Sequence, residues 1–247
     1  VNKNKTLSAN RLPLHIELSE MLAREIQAGI LLDGMRLPPE RALAEELGVA
    51  VGTLRKALLD LSEKGLIERV HGSGNYVRSA NNIANSGKSK TIYEFFRLEL
   101  IAGGGLPTAE VLYVNKVKKT EEVGDIGDDA YAYRIRRLRR LNDTDAAIEE
   151  IWIDAGKLAK LNKEDLLDSL YLFYKEKLGF WISRVEDSVS ALKPPNWKPD
   201  DFGAQNKESH SVWGYIERSS YDQNNKRVEF SKTWFDPAST RFMSRLR

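Results

Sequence analysis

The 247-residue chain contains no cysteine. A disulfide framework, a thiolate metal site and a cysteine nucleophile are all excluded, and the absence fits a reducing compartment, so a cytoplasmic location is expected. Histidine is almost as scarce: His15, His71 and His210 are the only three. Two of them fall in the first part of the chain, so no metal triad and no histidine-dependent nucleophile relay can be assembled in the rest, and neither a metal nor a cofactor is expected. No stretch approaches the roughly 20 consecutive apolar residues that span a bilayer. The polar opening VNKNKTLSAN does not read as a signal peptide, and no membrane partner is expected. Nor does one charge dominate, with 38 Lys plus Arg against 36 Asp plus Glu. Such a chain does not coat nucleic acid indiscriminately, but it can bind DNA where its cations are concentrated.

Tryptophan is missing from the first 150 residues; all five (Trp152, Trp181, Trp197, Trp213, Trp234) come later. The length favours one large domain or two ordinary ones, and this break in composition favours two. With 41% hydrophobic and 30% charged residues, a sizeable core is within reach.

The region from Leu37 to Val77 is the most densely patterned. Ahead of it, HIELSEMLAREIQAGI places Ile16 or Leu18, Leu22 and Ile26 at helical spacing, and Gly29 and Asp33-Gly34 mark the exit. Pro38-Pro39 opens the helix PERALAEEL, since proline is tolerated in a first turn. Gly48-Val49 turns the chain, and GTLRKALLDLSEK carries Leu54, Leu58 and Leu61 on one face until Gly65 stops it. Two short strands, LIERV and NYV, flank the glycine-loosened tip His71-Gly72-Ser73-Gly74. Helix, turn, helix and Gly-tipped hairpin in that order make a winged helix-turn-helix, a device for laying a helix in the DNA major groove.

The residues Leu37-Pro38-Pro39-Glu40-Arg41, Gly48 to Leu58 and Gly65 to Val77 follow L-P-S-E-R, G-V-S-R-T-T-V-R-K-A-L and G-L-I-x-R-x-x-G-x-G-T-F-V. The stretch thus resembles the DNA-binding domain of the GntR family of bacterial transcription regulators. That resemblance implies that Arg41 contacts DNA from the start of the second helix, Thr53 and Arg55 from the recognition helix, and His71-Gly72 from the wing. Arginine suits guanine or phosphate, threonine donates to phosphate, and glycine lets backbone N–H groups come close. Ala50-Val51-Gly52 stands where the family has Ser-Arg-Thr. Val51 can touch a thymine methyl group but cannot bind guanine bidentately, so the operator is expected to differ from the family's usual one.

SANNIANSGKSK reads as a polar linker, giving domains at 1–78 and 91–247 with the linker at 79–90. Beyond it, strands are expected at 109–117, 131–141, 148–153, 182–192, 212–221 and 227–235. Residues 161–178 read as helical, in two pieces, ending at Gly179. Gly103-Gly104-Gly105 lacks the context of a phosphate loop and marks a turn. The fold class is α+β, with a mainly antiparallel sheet and helices packed on it.

Asp128-Asp129 and Glu149-Glu150 are adjacent carboxylates, which point to opposite faces of a strand and read as solvated charge. Arg137 and Arg139 share a strand face, and Ser169 can cap the helix that begins LYLF. Two arginines beside a helix N-terminus suit a phosphate or carboxylate. The order RIRRLR, AIEEIWI, DSLYLF, Gly179-Phe180, ISRVEDSVSA, YIERSSYD and VEFSKTWF resembles the UTRA effector-binding domain of the HutC/FarR subfamily, whose fold is similar to chorismate lyase. The resemblance implies an effector pocket at Arg137, Arg139, Glu149, Ser169, Tyr171 and Glu229. The arginines and Ser169 would take an anion, the glutamates ligand hydroxyls or an amine, and Tyr171 a pocket wall. Phe235 stands where a tyrosine is common in the subfamily. The expected function is a homodimeric transcription regulator, a repressor by resemblance. It would bind double-stranded operator DNA and answer to a small effector of the sugar phosphate or carboxylic acid type. The alternatives are a chorismate-lyase-like enzyme with a DNA-binding head and an effector-independent DNA-binding protein.

Overall fold

The structure is a computed structural model that describes residues 12–78, 92–93, 95–203 and 212–245. The linker expected at 79–90 lies outside the described residues. Two compact units are present, one carried by the elements up to residue 78 and the other by those from residue 95 onward.

In the first unit, α1 (Leu14–Ala28), α2 (Glu40–Glu46) and α3 (Val51–Glu63) precede the strands β1 (Ile67–Val70) and β2 (Gly74–Val77). The leucine spacing works as expected: Leu18, Leu22 and Ile26 of α1 meet Leu43 of α2 and Leu54, Leu58 and Leu61 of α3 in one core, closed by Leu66, Ile67 and Val77. A fully buried aliphatic side chain of this kind contributes about 1.5–3 kcal/mol. The prolines sit one position earlier than expected: Pro39, at φ −51° and ψ 139°, is the residue before α2 and does not enter its first turn. The wing gains a third strand-like segment, because Leu37 N donates to Asn75 O at 2.9 Å and Val77 N to Met35 O at 2.8 Å. Hydrophobic spacing does not announce the ion cluster beneath the helices. There Lys64 Nζ lies 2.6 Å from Glu20 Oε1 and 2.7 Å from Asp60 Oδ2, tying α3 to α1.

The second unit is a six-stranded antiparallel sheet in the order β4-β5-β6-β9-β8-β7. Its strands are β4 (Pro107–Lys118), β5 (Tyr131–Leu141), β6 (Thr144–Asp154), β7 (Ile182–Leu192), β8 (Trp213–Asp222) and β9 (Arg227–Phe235). The two three-residue strands β3 (Leu98–Leu100) and β10 (Thr240–Phe242), which pair with each other, are too short to carry a pattern and were not expected. Gly103, Gly104 and Gly105 all adopt positive φ, so the turn before β4 does need glycine. The expected helical span 161–178 is broken. A single 3₁₀ turn at Lys163–Asp165 is followed by extended backbone, and only Leu170–Leu178 is helical, first α4 (Leu170–Phe173) and then a π-helical turn.

Successive residues of a strand face opposite sides, and directly paired residues share one. Tyr133, Ile135, Arg137 and Arg139 of β5 therefore share a face with Glu149 and Ile151 of β6, Glu229 and Ser231 of β9, Arg218 and Ser220 of β8 and Asp187 of β7. Leu170, Phe173 and Tyr174 pack on the apolar end of this face. The other face is aromatic: Trp213, Tyr215 and Trp234 pack with Phe202 and Trp197, and Trp152 with Phe230.

Candidate DNA-contact and effector sites

In the first unit, Arg41 is exposed at the second position of α2, Arg55 is exposed on α3, Thr53 is half-buried, and His71 and Gly72 are exposed at the wing tip. Ala50 caps α3 without a side-chain hydrogen bond, so the helix lacks a contact usually worth about 1 kcal/mol. Glu40, which the motif places beside Arg41 and which sequence reasoning did not single out, organises the surface. Its Oε2 accepts from Arg55 Nε at 2.6 Å and its Oε1 from Arg69 Nη2 at 3.1 Å. One carboxylate thus joins the start of α2 to the recognition helix and to the wing strand β1. The hydrogen bond from Arg55 outweighs partial desolvation and, with Arg69, holds Glu40 below the usual carboxylate range. Arg55 and Arg69 keep side-chain exposures of 62% and 41%. Exposed pairs of this type are worth about 0–1 kcal/mol. Their consequence is aim, because both guanidiniums are held in place while still open to a phosphate or a base edge.

In the second unit, all six expected pocket residues lie together at one face of the sheet and the helix packed on it. Neither arginine decorates an exposed strand: Arg137 is 5% exposed and Arg139 3%. Arg137 Nε donates to Glu149 Oε2 at 2.5 Å, and Arg139 Nη2 to the same oxygen at 3.2 Å. Both also donate through Nη1 to the Asp168 carbonyl, at 3.4 and 3.1 Å. Ser169 does cap α4, its Oγ accepting from Leu172 N at 3.3 Å. The reading of Glu149-Glu150 as solvated charge is corrected. The two do point to opposite faces, but both are buried and ion-paired, Glu149 as above and Glu150 with Arg136. Burial pushes the Glu149 carboxyl up, yet Arg137 and Arg139 more than offset it and leave it below its ordinary value.

The other end of the face is hydroxyl-rich. Glu229 accepts from Tyr174 OH at 2.5 Å and from Ser220 Oγ at 2.8 Å, and Tyr171 OH lies 2.9 Å from Ser220 Oγ and 3.4 Å from Glu229 Oε1. Burial drives the Glu229 carboxyl upward despite these donors. Burial and the adjacent Glu229 likewise raise both tyrosines. Arg218 completes the face, bound bidentately by Asp187 at 2.6 and 2.7 Å. Tyr174, Ser220, Arg218 and Asp187 were missed from the sequence. Ser220 and Arg218 carry a legible signal in retrospect, since they alternate along β8 in register with Glu229 and Ser231. Three guanidiniums thus face three carboxylates, but Arg137 and Arg139 share Glu149 alone, so their end of the face is locally rich in cationic donors. Such an arrangement favours an anion.

Among the described residues no helix is long and apolar enough to cross a membrane. Residues 15–77 match the family described as bacterial regulatory proteins, gntR family, and residues 102–241 match the UTRA domain. The chain is 46% identical over 236 residues to the HTH-type transcriptional regulator SmoD of Agrobacterium fabrum, covering 96% of this chain and 97% of that one. It is 27% identical over 225 residues to the HTH-type transcriptional repressor NagR of Bacillus subtilis, covering 90% of each. The crystal structure of YydK from Bacillus subtilis superposes with a TM-score of 0.54 at 22% identity, over 96% of this chain and all of that one, a likeness of fold. The winged helix-turn-helix, the antiparallel body and these matches agree: the chain belongs to the gntR family of bacterial regulatory proteins, as a DNA-binding transcriptional regulator with a UTRA domain.

Proposed function

We propose that the protein is a cytoplasmic, homodimeric repressor without catalytic activity, whose affinity for operator DNA is set by a small anion bound in the second unit. Arg41, Thr53, Arg55, His71 and Gly72 are the DNA-contacting residues, with Arg69 added to them and Glu40 orienting both Arg55 and Arg69. Arg137, Arg139, Glu149, Ser169, Tyr171 and Glu229 hold the effector. The observation that carries the effector reading is that two buried arginines, Arg137 and Arg139, share the single carboxylate of Glu149. An acidic group of the ligand would compete with Glu149 for the two arginines. Hydroxyls would meet Glu229, Ser220 and Tyr171, so a sugar phosphate or a hydroxylated carboxylic acid fits best.

A gel-shift titration with DNA from upstream of its own gene should give a salt-sensitive complex, and each phosphate contact removed should lower the salt slope by about 0.9. In the Arg41→Ala/Arg55→Ala double mutant this complex should be lost at moderate salt; unchanged affinity would refute the contact assignment. For the effector, calorimetric titration is preferable to tryptophan fluorescence, because four of the five tryptophans pack on the far face of the sheet and the fifth, Trp181, is exposed. Turnover of chorismate would instead favour the enzyme reading, and none is expected.

A further inference from the structure

The six-stranded sheet ends on two unlike edges. β4 begins at Pro107, bulges between Val111 and Tyr113, and carries Lys116 and Lys118. These are the usual means by which an open edge is kept from pairing with another chain. The end of β7 has none of them. Ser188-Val189-Ser190-Ala191-Leu192 is uncharged, lacks proline and glycine, pairs regularly with β8 and is exposed throughout. Val189 and Leu192 are 49% and 48% exposed. Among the described residues no strand pairs with the outer edge of β7.

We propose that this edge pairs with the same segment of a second copy, antiparallel about a two-fold axis through Ser190, so that two six-stranded sheets become one. The inference rests on the homodimer reading and names its interface. The sequence around Ser190 is complementary to itself: Val189 meets the partner's Ala191, Ser188 the partner's Leu192, and Asp187 the partner's Lys193. Opposite charges directly across a pair of strands are favourable. With the axis at Val189, Asp187 faces alanine and lysine faces Val185. With the axis at Ala191, Ser188 faces Pro194, which has no N–H to donate. Pro194-Pro195 also limits how far the pairing can run.

Asp187 lies on the effector face and already holds Arg218 bidentately. Arg218 in turn lies beside Tyr171. The partner's Lys193 would therefore extend an ion-pair chain that ends at an effector-contacting tyrosine, placing the interface and the effector site on one network.

Because the chain has no cysteine, a single introduced thiol reports on the contact alone. Directly opposed residues have Cβ atoms about 4.5–5.5 Å apart, which small adjustments bring within disulfide reach. Under mild oxidation full-length Ser190→Cys should run as a covalent dimer on a non-reducing gel, while Asn115→Cys on β4 should stay monomeric. Ser190→Glu, which sets two carboxylates face to face, should raise the dimer dissociation constant by about tenfold or more, or about 1.4 kcal/mol. If the wild type sediments as a dimer but Ser190→Cys keeps a free thiol, the edge assignment falls and the homodimer stands. A wild type that sediments as a monomer overturns both.

Discussion

Glu149 takes two guanidiniums on one carboxylate oxygen in a buried setting, and that geometry fixes its sign of pH dependence. Its pKa is lowered in the folded state. Its contribution is therefore present above the unfolded value of about 4.3 and is lost as pH falls through the lower folded value. Glu229 runs the other way: its raised value means that stability declines as pH climbs from the unfolded value toward the folded one. Replacing Glu149 by Gln leaves two buried cations short of their counter-charge, and should cost about 3–5 kcal/mol at pH 7. In urea melts the gap to the wild type should narrow below about pH 4.3 as the wild-type carboxylate is protonated. A gap that is absent, or that does not change with pH, would show that the pair is not coupled to folding in this way. At the same scale, a β-carbon on Gly214 would lie 2.0 Å from the Phe235 ring, so that ring can cross the sheet only because residue 214 is glycine.

Among the elements, α2 is the one whose role grew. Seven residues long and capped only by proline geometry, it has little stability of its own. It presents Glu40 to both Arg55 and Arg69, and so ties the reading helix to the wing. Glu40→Gln removes a negative charge from the DNA-facing surface and frees both guanidiniums. The expected outcome is tighter binding to random DNA at low salt together with a smaller ratio of operator to random affinity, both read by fluorescence anisotropy. Unchanged discrimination would mean that the clamp does not orient these arginines for reading. The long strands and α3 were legible because their apolar residues recur with the right period and glycines punctuate them. β3 and β10, at three residues each, carry no period. The helical run expected from Leu161 fails at 166–169 because apolar spacing alone does not distinguish a helix from extended chain packed on a sheet.

For the whole molecule, the separate cores predict separable unfolding. α1, α2 and α3, of 15, 7 and 13 residues, hold most of the described helix, while every tryptophan belongs to the second unit. Far-ultraviolet circular dichroism and tryptophan fluorescence should therefore give urea midpoints that do not coincide, and a ligand of the second unit should shift the fluorescence transition more. Coincident curves would require one cooperative unit. The sequence by itself determined the head and the spans of the long strands, because helical period, two-residue alternation, glycine punctuation and a dense motif act within short stretches of chain. It also singled out Arg137, Arg139 and Ser169 as chemistry, and Glu149, Tyr171 and Glu229 as proposed effector contacts by resemblance. Only the tertiary structure decided what those residues do to one another. That Glu149 is shared by two arginines, that Ser220, Tyr174, Arg218 and Asp187 join the same face, and that Glu40 reaches the wing depend on strand register and on contacts between residues distant in the chain. Hydrophobic period records which side of an element is buried; it carries no record of which charged group waits on the neighbouring strand.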